Sequence, residues 1–175
     1  MGRFNAMTSD MRPLFDGIRL VGTAVTVKTL AADLAAAFKA IDVCQPGDIV
    51  VIDSHGSVNT AFWGENMTMS ALNRGVVAAI IDGACRDVEE IRKIRFPVIC
   101  KGIVPNVGAI AGYGDVNVSI QCAGVAFPQV YRGCRWQWRG CRTIGRGCGD
   151  AAEGAAAAGD GAFPSGEDQG GRNDR

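Results

Sequence analysis

Two short apolar runs constrain the fold of this chain more than any other feature of its sequence. IVVID at residues 49–53 and VVAAII at residues 76–81 are each bounded by turn-forming residues. Runs of this length that are rich in β-branched residues predict strands buried on both faces. The segment between them has helical periodicity, and the alternation predicts an α/β fold in which helices cover a sheet.

The same patterns place further elements on both sides of these two strands. Alternation of Val21, Val25 and Val27 with other residues predicts a strand over residues 19–29. Gly75 is expected to end a helix over residues 67–74 as its C′ residue. The other predicted elements are helices over residues 33–43 and 86–95 and strands over residues 96–100 and 116–120.

The composition changes abruptly after residue 131. Of the 44 residues from 132 to 175, 11 are glycine, and Ile144 is the only isoleucine, leucine, valine or methionine. Such a segment cannot bury enough apolar area to offset its conformational entropy. We therefore predict one domain over residues 1–131, incomplete at its C-terminal end, and an irregular, disordered tail over residues 132–175 in place of further strands.

The codons that can encode this tail offer a genetic explanation for its composition. When residues 132–144 (RGCRWQWRGCRTI) are reverse-translated and read one nucleotide later, the codons permit the peptide VVADGNGVVVVP. That peptide has the pattern of a strand, a turn and a second strand. We hypothesise that a frameshift between about Ala126 and Arg132 replaced the original C-terminal sequence.

Charge and hydropathy disfavour several classes of partner. The formal net charge is zero, so no overall field attracts nucleic acid or an anionic membrane. Arginines interleave with Trp136 and Trp138 in the tail, but no predicted fold presents them to nucleic acid. No apolar run approaches the roughly 20 residues of a membrane span, and the first residues lack the apolar core of a secretion signal. These features predict a cytoplasmic protein without a nucleic-acid or membrane partner.

The seven cysteines predict buried thiols rather than a zinc site. Four of them lie far apart in or beside apolar stretches, as small buried hydrophobes do: Cys44, Cys85, Cys100 and Cys122. Three others recur every seven residues: Cys134, Cys141 and Cys148. Zinc sites usually take their ligands in close pairs, and the chain has no CxxC pair and a single histidine, His55.

Six segments, in order along the chain, together resemble one protein family. They are GTAVTVKT (22–29), PGDIVVID (46–53), GENM (64–67), GVVAAIIDGACRDVEEI (75–91), FPVICKGIVP (96–105) and VNVSIQCAGVAFP (116–128). From about Arg12 to Pro128 the chain resembles the RraA-like family. This family includes regulators of ribonuclease activity and aldolases acting on 4-hydroxy-4-methyl-2-oxoglutarate and 4-carboxy-4-hydroxy-2-oxoadipate, which also decarboxylate oxaloacetate. The frame-shifted peptide resembles the segment that the family has next.

The resemblance implies a swivelling β/β/α sandwich of the RraA-like type. It also implies assembly as a homotrimer or a dimer of trimers with sites between subunits. The aldolase branch has an acidic residue, twenty intervening residues and then Arg-Asp, and Glu65 with Arg86-Asp87 matches this spacing. The branch more often has Asp at the first position. The regulators generally lack the Arg-Asp pair, so the resemblance favours a lyase that produces pyruvate.

Those positions imply class II, metal-assisted chemistry on a small 2-oxo acid. Asp87 is expected to hold Mg²⁺, Mn²⁺ or another divalent cation, with the catalytic residue Glu65 reaching it through water. Arg86 is expected to be catalytic and to bind substrate, because its planar guanidinium suits a carboxylate and a developing enolate oxygen. Four residues begin a predicted helix whose free backbone N–H groups are expected to bind a substrate oxygen: Gly64, Glu65, Asn66 and Met67.

Other interpretations of the polar residues stay open. Arg86-Asp87 can be a solvated arginine and a first-turn acid at a helix start, and residues 65–66 can be capping residues. His55, in a predicted Ser-His-Gly-Ser loop, is a solvated histidine or a base. Asp53 and Asp82 end predicted strands and are expected to form turns rather than to bind metal.

The chain as a whole also has alternatives to an active lyase. One is a non-catalytic regulator that binds a ribonuclease, and another is a relative that its altered tail has inactivated. A methyltransferase is disfavoured, because a nucleotide-binding loop lies between a strand and a helix and carries three glycines. Gly112-Tyr113-Gly114 follows no apolar strand and lacks the third glycine.

Overall fold

The computed structural model describes residues 6–30 and 32–128, together with the backbone of two strands farther along the chain. Three helices lie within two residues of the predicted ones: α1 (Ala35–Val43), α2 (Glu65–Asn73) and α3 (Val88–Ile94). The described strands are β1 (Arg12–Pro13), β2 (Arg19–Lys28), β3 (Asp48–Ala61), β4 (Ala78–Cys85), β5 (Val98–Ile103), β6 (Asp115–Val116), β7 (Ile120–Cys122), β8 (Val125–Phe127), β9 (Arg135–Arg139) and β10 (Arg142–Gly145). Gly75 follows the last turn of α2 with a φ of 75°, which confirms its prediction as a C′ glycine.

Eight of the described strands form one sheet in the order β1-β5-β4-β3-β2-β9-β10, with β6 also paired to β2. The central strands β2, β3, β4 and β5 run parallel to one another. Each of the three helices connects two successive central strands, as parallel pairing requires. Strands β7 and β8 form a separate antiparallel hairpin.

The sheet carries a hydrophobic core on each face. Val50 and Ile52 of β3 pack in the core that the three helices cover. Ile49 and Val51 pack in the core that the β7–β8 hairpin covers. All four side chains are at most 2% exposed, so this strand is buried on both faces, as its sequence predicts. The predicted α/β fold class is confirmed.

Two predicted turns are wrong, because the residues concerned belong to strands. Strand β3 continues through the Ser-His-Gly-Ser segment, and β4 continues through Asp82-Gly83. The pair Asp53↔Asp82 is followed by Ser57↔Gly83, so the extra residues of β3 form a bulge. The Ser54 hydroxyl donates to the Asp82 carbonyl oxygen, which holds the bulge against the neighbouring strand.

The prediction of an irregular tail is wrong for nine residues. Strand β9 pairs antiparallel with residues 19–23 of β2, and β10 pairs antiparallel with β9. The N-terminal half of β2 would otherwise present unpaired N–H and C=O groups at the sheet edge. Backbone pairing of this kind does not require the apolar side chains that the tail lacks. Residues 146–175, which are predicted to be disordered, lie outside the described residues.

The four cysteines that the sequence predicts to be buried are buried and free. Burial raises the pKa of Cys44 to about 12 and the pKa of Cys100 to about 11. Both groups therefore stay protonated at neutral pH, where a thiol is a poor nucleophile and a poor metal ligand. The three cysteines spaced by seven residues lie outside the described residues.

Candidate active site

The connections that follow β3 and β4 run side by side. The Phe62 N–H donates to the Ala84 carbonyl oxygen, and the Arg86 N–H donates to the Trp63 carbonyl oxygen at 2.9 Å. These bonds continue the parallel pairing beyond the carboxyl ends of both strands. They place Gly64, at the start of α2, beside Asp87, at the start of α3.

One oxygen of the Asp87 carboxylate joins the two connections. Asp87 Oδ2 accepts the backbone N–H of Glu65 at 3.1 Å and lies 3.4 Å from Nε of Arg86. The Asp87 backbone has φ 55° and ψ 39°, a left-handed conformation that costs a non-glycine residue about 1–3 kcal/mol. The surrounding hydrogen bonds hold it there, so the carboxylate is preorganised. The side chains of Arg86 and Asp87 remain about one third exposed, at 34% and 36%.

Gly64 permits this close approach because it has no side chain. A Cβ atom at Gly64 would lie 2.6 Å from Asp87 Oδ2 and 3.2 Å from both Cγ and Nε of Arg86. Its own backbone is extended, with φ −157°, so the requirement is for space and not for an unusual dihedral angle. The glycine is therefore part of the geometry that sets Asp87 against the start of α2.

Buried hydrogen bonds and an aromatic stacking contact hold the Gly64 backbone in place. Trp63 Nε1 donates to the Thr68 hydroxyl oxygen at 2.8 Å, and that hydroxyl donates to the Gly64 carbonyl oxygen at 3.0 Å. The Trp63 ring is stacked on Phe96 with 6.2 Å between the ring centroids. All three side chains are at most 2% exposed, so the connection has little freedom to shift.

A cavity of about 180 Å³ opens between these connections and α1. Its lining residues are Leu34, Phe38, Ala61, Trp63, Gly64, Asn66, Met67, Arg86, Asp87, Val107, Gly108 and Ile110. The structure thus brings together five of the six predicted site residues. Glu65 is not among the lining residues, and its backbone N–H, rather than its carboxylate, makes the contact with Asp87. A catalytic role of the Glu65 side chain stays a prediction.

Asp33 orders one wall of the cavity, a role that sequence analysis does not predict. Its carboxylate accepts the N–H groups of Ala35 at 2.7 Å, Ala111 at 3.1 Å and Tyr113 at 2.9 Å. These hydrogen bonds, that of Ala35 first, hold the pKa of Asp33 below its ordinary value. Asp33 therefore connects the start of α1 to the loop that carries Ile110. The only available signal was an Asp before a helix, which predicts a cap and no distant partner.

A larger cavity, of about 650 Å³, lies on the hairpin face of the sheet. Four charged residues in neighbouring strands line it: Lys28, Asp53, Asp82 and Lys101. Asp53 Oδ2 accepts the N–H of Gln121 at 3.3 Å, and Asp82 Oδ2 accepts the N–H of Ala123 at 2.7 Å. The predicted turn-forming aspartates instead anchor the β7–β8 hairpin to the sheet. Because both carboxylates already accept hydrogen bonds that hold the hairpin in place, the larger cavity is a weaker candidate for the active site than the 180 Å³ cavity.

His55 belongs to this second cavity. It lies in the bulge of β3, its side chain is 56% exposed, and its Nδ1 is 3.6 Å from Asp53 Oδ1. It lines the larger cavity and does not line the one that contains Arg86. The structure therefore does not bring the single histidine to the candidate site.

Most of the chain matches the model of a known protein family. The family model RraA-like: Aldolase/RraA matches residues 1–130. The chain belongs to the RraA-like family. The match ends at residue 130, inside the interval in which the frameshift is hypothesised.

RraA-like relatives of this chain carry aldolase names. A protein of Halalkalibacterium halodurans, provisionally named as a 4-hydroxy-4-methyl-2-oxoglutarate aldolase, is 34% identical over 119 residues, which are 68% of this chain and 57% of that protein. The 4-hydroxy-4-methyl-2-oxoglutarate aldolase of Thermus thermophilus is 29% identical over 107 residues, which are 61% of this chain and 65% of that enzyme. The chain thus spans little more than half of the first relative and less than two thirds of the second.

Solved structures confirm the RraA-like fold. The RNA-processing inhibitor RraA from Thermus thermophilus superposes with a TM-score of 0.72 at 23% identity, covering 81% of this chain and 84% of that one. A structure described as an S-adenosylmethionine:2-dimethylmenaquinone methyltransferase from Geobacillus kaustophilus gives the same TM-score and identity over 79% of this chain and 84% of that one. At this identity they show the fold alone.

Within the described ranges, no helix has the length and apolar character needed to cross a membrane.

The residues of the candidate site fit a weakly ligated cation and do not fit a protein cage. Among the residues that the structure describes, no three His, Cys, Asp or Glu side chains are grouped as metal ligands. Of the residues that the structure describes, Asp87 is the only one with a carboxylate that lines the 180 Å³ cavity. Mg²⁺ commonly takes one or two protein carboxylates, keeps several waters and binds substrate oxygens. A single carboxylate beside an open cavity meets that requirement.

Proposed function

We propose that this chain is a divalent-metal-dependent lyase that releases pyruvate from a 4-hydroxy-2-oxo acid or from oxaloacetate. The convergence of Arg86, Asp87 and the start of α2 in one cavity supports this proposal most. The names of the relatives support lyase chemistry of the 4-hydroxy-4-methyl-2-oxoglutarate aldolase type. The preorganised Asp87 carboxylate adds to this support, because strained backbone clusters at functional sites.

The proposed reaction breaks the C3–C4 bond and leaves its electron pair on C3 as the enolate of pyruvate. In a 4-hydroxy-2-oxo acid the C4 hydroxyl gives up its proton to solvent and C4 leaves as a carbonyl compound, whereas in oxaloacetate C4 leaves as CO₂. A divalent cation beside Asp87 would supply Lewis acidity for the ketone oxygen. Arg86 would bind the adjacent carboxylate with its planar guanidinium and stabilise the charge that develops. The N–H groups of Asn66 and Met67, in the first turn of α2, would donate to a second substrate oxygen. Glu65 would hold the water that returns a proton to the enolate carbon.

We also propose that the protein assembles as a homotrimer or a dimer of trimers with this cavity at the subunit interface. Apolar side chains around the cavity mouth are well exposed: Phe38 at 38%, Val107 at 53% and Ile110 at 71%. A cluster of exposed apolar side chains beside a functional site marks a surface that a partner covers. A second subunit would exclude water from the proposed reaction.

We expect purified protein to release pyruvate from oxaloacetate or a 4-hydroxy-2-oxo acid when Mg²⁺ or Mn²⁺ is added, and a chelator to abolish the release. Asp87→Ala should remove the activity, because it removes the carboxylate proposed to hold the cation. Asp42→Ala changes an exposed aspartate on α1 and is the matched control. The measurement is a coupled pyruvate assay. Absence of pyruvate from every substrate would refute the proposal, and ribonuclease binding that survives Asp87→Ala would favour the regulator.

We propose that the tail arose by the frameshift, and that it limits stability and assembly. Replacing residues 132–143 by VVADGNGVVVVP is expected to raise Tm by at least about 4 °C, the effect of roughly 1 kcal/mol in a domain of this size. It should also increase the trimeric fraction in sedimentation. An equal-length replacement by a Gly-Ser sequence is the control. Sequencing the gene gives an independent outcome: if no insertion or deletion of a single nucleotide restores this frame, the frameshift hypothesis fails.

A further inference from the structure

The loop over residues 106–114 forms one wall of the candidate cavity. It connects β5 to β6, and three of its residues line the cavity: Val107, Gly108 and Ile110. The Ala61 N–H donates to the Asn106 carbonyl oxygen at 2.8 Å. The Leu34 N–H donates to the Ala109 carbonyl oxygen at 2.9 Å. Backbone pairing therefore places the first half of the loop, as far as Ala109.

Beyond residue 109 the loop is bonded to the Asp33 side chain. Asp33 Oδ2 accepts the N–H of Ala111 at 3.1 Å and the N–H of Tyr113 at 2.9 Å. In the described chain residues 109–113 are all exposed, with Ile110 at 71% and Tyr113 at 63%. Their side chains therefore bury little surface, whereas Asp33 is buried. The position of this half of the loop thus depends on the Asp33 carboxylate.

A carboxylate can make all of these contacts, and an amide of the same shape cannot. Asp33 Oδ1 accepts the Ala35 N–H at the start of α1, at 2.7 Å, so both oxygens accept backbone N–H groups. Asparagine has one acceptor oxygen, and its NH₂ group only donates. An asparagine oxygen that stays with Ala35 would leave the NH₂ group facing the N–H groups of the loop. The negative charge at position 33 therefore joins α1 to the loop.

We propose that Asp33 is a positioning residue for substrate binding, acting through Ile110 and the rest of the loop over residues 106–114. The inference rests on the proposed function, because the substrate is taken to lie between Arg86-Asp87 and this loop. Asp33 itself does not line the cavity. Arg86 and Asp87 are held by hydrogen bonds with the connection that follows β3, which do not involve Asp33. Releasing the loop removes contacts made equally in the ground and transition states, and such a loss raises KM while kcat stays unchanged.

Asp33→Asn tests the anchoring of the loop and its effect on the site together. Hydrogen exchange in the peptide covering residues 106–114, measured by mass spectrometry, should become at least about tenfold faster, because amides exchange when their local hydrogen bonds open. KM for a 4-hydroxy-2-oxo acid should rise at least about tenfold, which corresponds to about 1.4 kcal/mol. The kcat value should stay within about threefold, since Asp33 does not touch the reacting groups.

Asp48→Asn is the matched control for this substitution. Asp48 Oδ2 also accepts a backbone N–H, that of Gln45 at 2.7 Å, but Asp48 lies at the start of β3 and does not line the cavity. It should leave the exchange of the loop and KM unaltered. Asp33→Ser is a second variant that should fold, because serine suits a helix start and its one oxygen can accept the Ala35 N–H. It should raise KM as Asp33→Asn does.

Three results would overturn the inference. Unaltered exchange of the loop in both Asp33 variants would show that the carboxylate does not hold it. Faster exchange with an unchanged KM, or a fall in kcat alone, would assign Asp33 to the fold, because a smaller folded fraction lowers kcat without altering KM. A KM that follows the trimeric fraction in sedimentation, and not the exchange of the loop, would assign the effect to assembly.

Binding of 2-oxoglutarate separates this inference from the proposed function. This 2-oxo acid has no 4-hydroxyl group, so retro-aldol cleavage does not consume it. Calorimetric titration with Mg²⁺ present should give at least about tenfold weaker binding to Asp33→Asn than to the original chain. That result without pyruvate from any substrate refutes the lyase and supports the role of Asp33. Pyruvate release with KM and 2-oxoglutarate affinity unaltered by Asp33→Asn leaves the lyase intact and overturns the inference. Neither pyruvate nor binding of 2-oxoglutarate refutes both.

Discussion

Gly64→Ala is expected to lower kcat/KM for pyruvate release at least about 100-fold, which is the cost of displacing a reacting group by about 1 Å. The added Cβ would lie 2.6 Å from Asp87 Oδ2 and 3.2 Å from Nε of Arg86. Cβ atoms do not approach a carboxylate oxygen so closely. The side chains of Arg86 and Asp87 must therefore move, and both are proposed to act on the substrate.

The backbone around Gly64 cannot absorb this change at low cost. The Arg86 N–H is bonded to the Trp63 carbonyl oxygen, and the Thr68 hydroxyl is bonded to the Gly64 carbonyl oxygen. Trp63 and Thr68 are fully buried or nearly so. The displacement falls on the Asp87 carboxylate, which loses the N–H of Glu65. Because Asp87 is partly exposed, the fold should tolerate the loss while the site does not.

Gly102→Ala is the matched control for this prediction. A Cβ at Gly102 would meet Val58 at 3.4 Å and Ala84 at 3.7 Å, which are ordinary contact distances. We expect its activity to stay within about threefold of the original chain, since a tolerated substitution away from the site changes stability little. Titration with Mn²⁺ provides a second measurement, and Gly64→Ala should weaken the binding of Mn²⁺. Unchanged activity and Mn²⁺ affinity in Gly64→Ala would show that Asp87 does not need its present position.

The sequence predicted the elements whose signals are local. IVVID lies within β3 and the last four residues of VVAAII begin β4, because both runs are apolar, and both strands lie at the centre of the sheet. Gly75 ends α2 because a C′ position favours glycine. The sequence predicts Arg86-Asp87 at the start of a helix that follows a strand, and the structure has Asp87 as the N-cap of α3. The family resemblance, and not any local pattern, connected this pair with the GENM segment.

The wrong predictions concern polar groups whose partners are distant in sequence. Asp53 and Asp82 have the residue type of turn formers, but they accept N–H groups of Gln121 and Ala123, which lie 68 and 41 residues away. Asp33 likewise bonds Ala111, 78 residues away. A carboxylate that anchors a distant backbone has the same one-letter code as one that caps a turn. Only the folded arrangement distinguishes the two roles.

The tail shows a different limit of sequence interpretation. The composition of residues 132–175, which have few apolar side chains, predicts little burial. It does not predict β9, because the requirement for pairing comes from the open edge of β2 at residues 19–23. An edge strand can accept any extended backbone that reaches it. Composition therefore governs the core, whereas the edge of the sheet depends on which segment lies within reach.

Lys101→Met is expected to lower the free energy of unfolding by about 3 kcal/mol, because removing one partner of a buried ion pair leaves the other charge uncompensated. Lys101 Nζ lies 2.6 Å from Asp82 Oδ1 and 3.4 Å from Asp10 Oδ2. The Lys101 and Asp82 side chains are 15% and 9% exposed. Methionine has a similar length and leaves little empty volume. Urea unfolding measures the change, and the exposed Lys93→Met is expected to stay within about 0.5 kcal/mol.

The pH dependence of stability tests whether loss of the Lys101 charge causes the destabilisation by Lys101→Met. Burial opposes the charged form of Lys101, but the hydrogen bond and charge of Asp82, with help from Asp10, outweigh it and raise the pKa of Lys101 above 10.5. A group with a raised folded-state pKa gives its full stabilisation below the unfolded-state pKa and loses it as pH rises through the folded-state value. The destabilisation by Lys101→Met should thus be constant from about pH 6 to pH 9 and should shrink only above about pH 10.5. A destabilisation by Lys101→Met that already shrinks between about pH 6 and pH 9 would contradict the assignment to the Lys101 charge.

A double variant separates the uncompensated charge from lost packing. Lys101→Met with Asp82→Asn should recover more than half of the loss, because Asn is neutral and its carbonyl oxygen can still accept the Ala123 N–H that Asp82 Oδ2 accepts at 2.7 Å. Lys101→Met with Asp82→Leu should recover less, since the Ala123 N–H is then left without an acceptor at a cost of about 1–3 kcal/mol. Equal stability of both double variants and Lys101→Met would assign the loss to packing instead. The expected order follows from the two roles of Asp82, whose charge requires Lys101 and whose second oxygen anchors the β7–β8 hairpin.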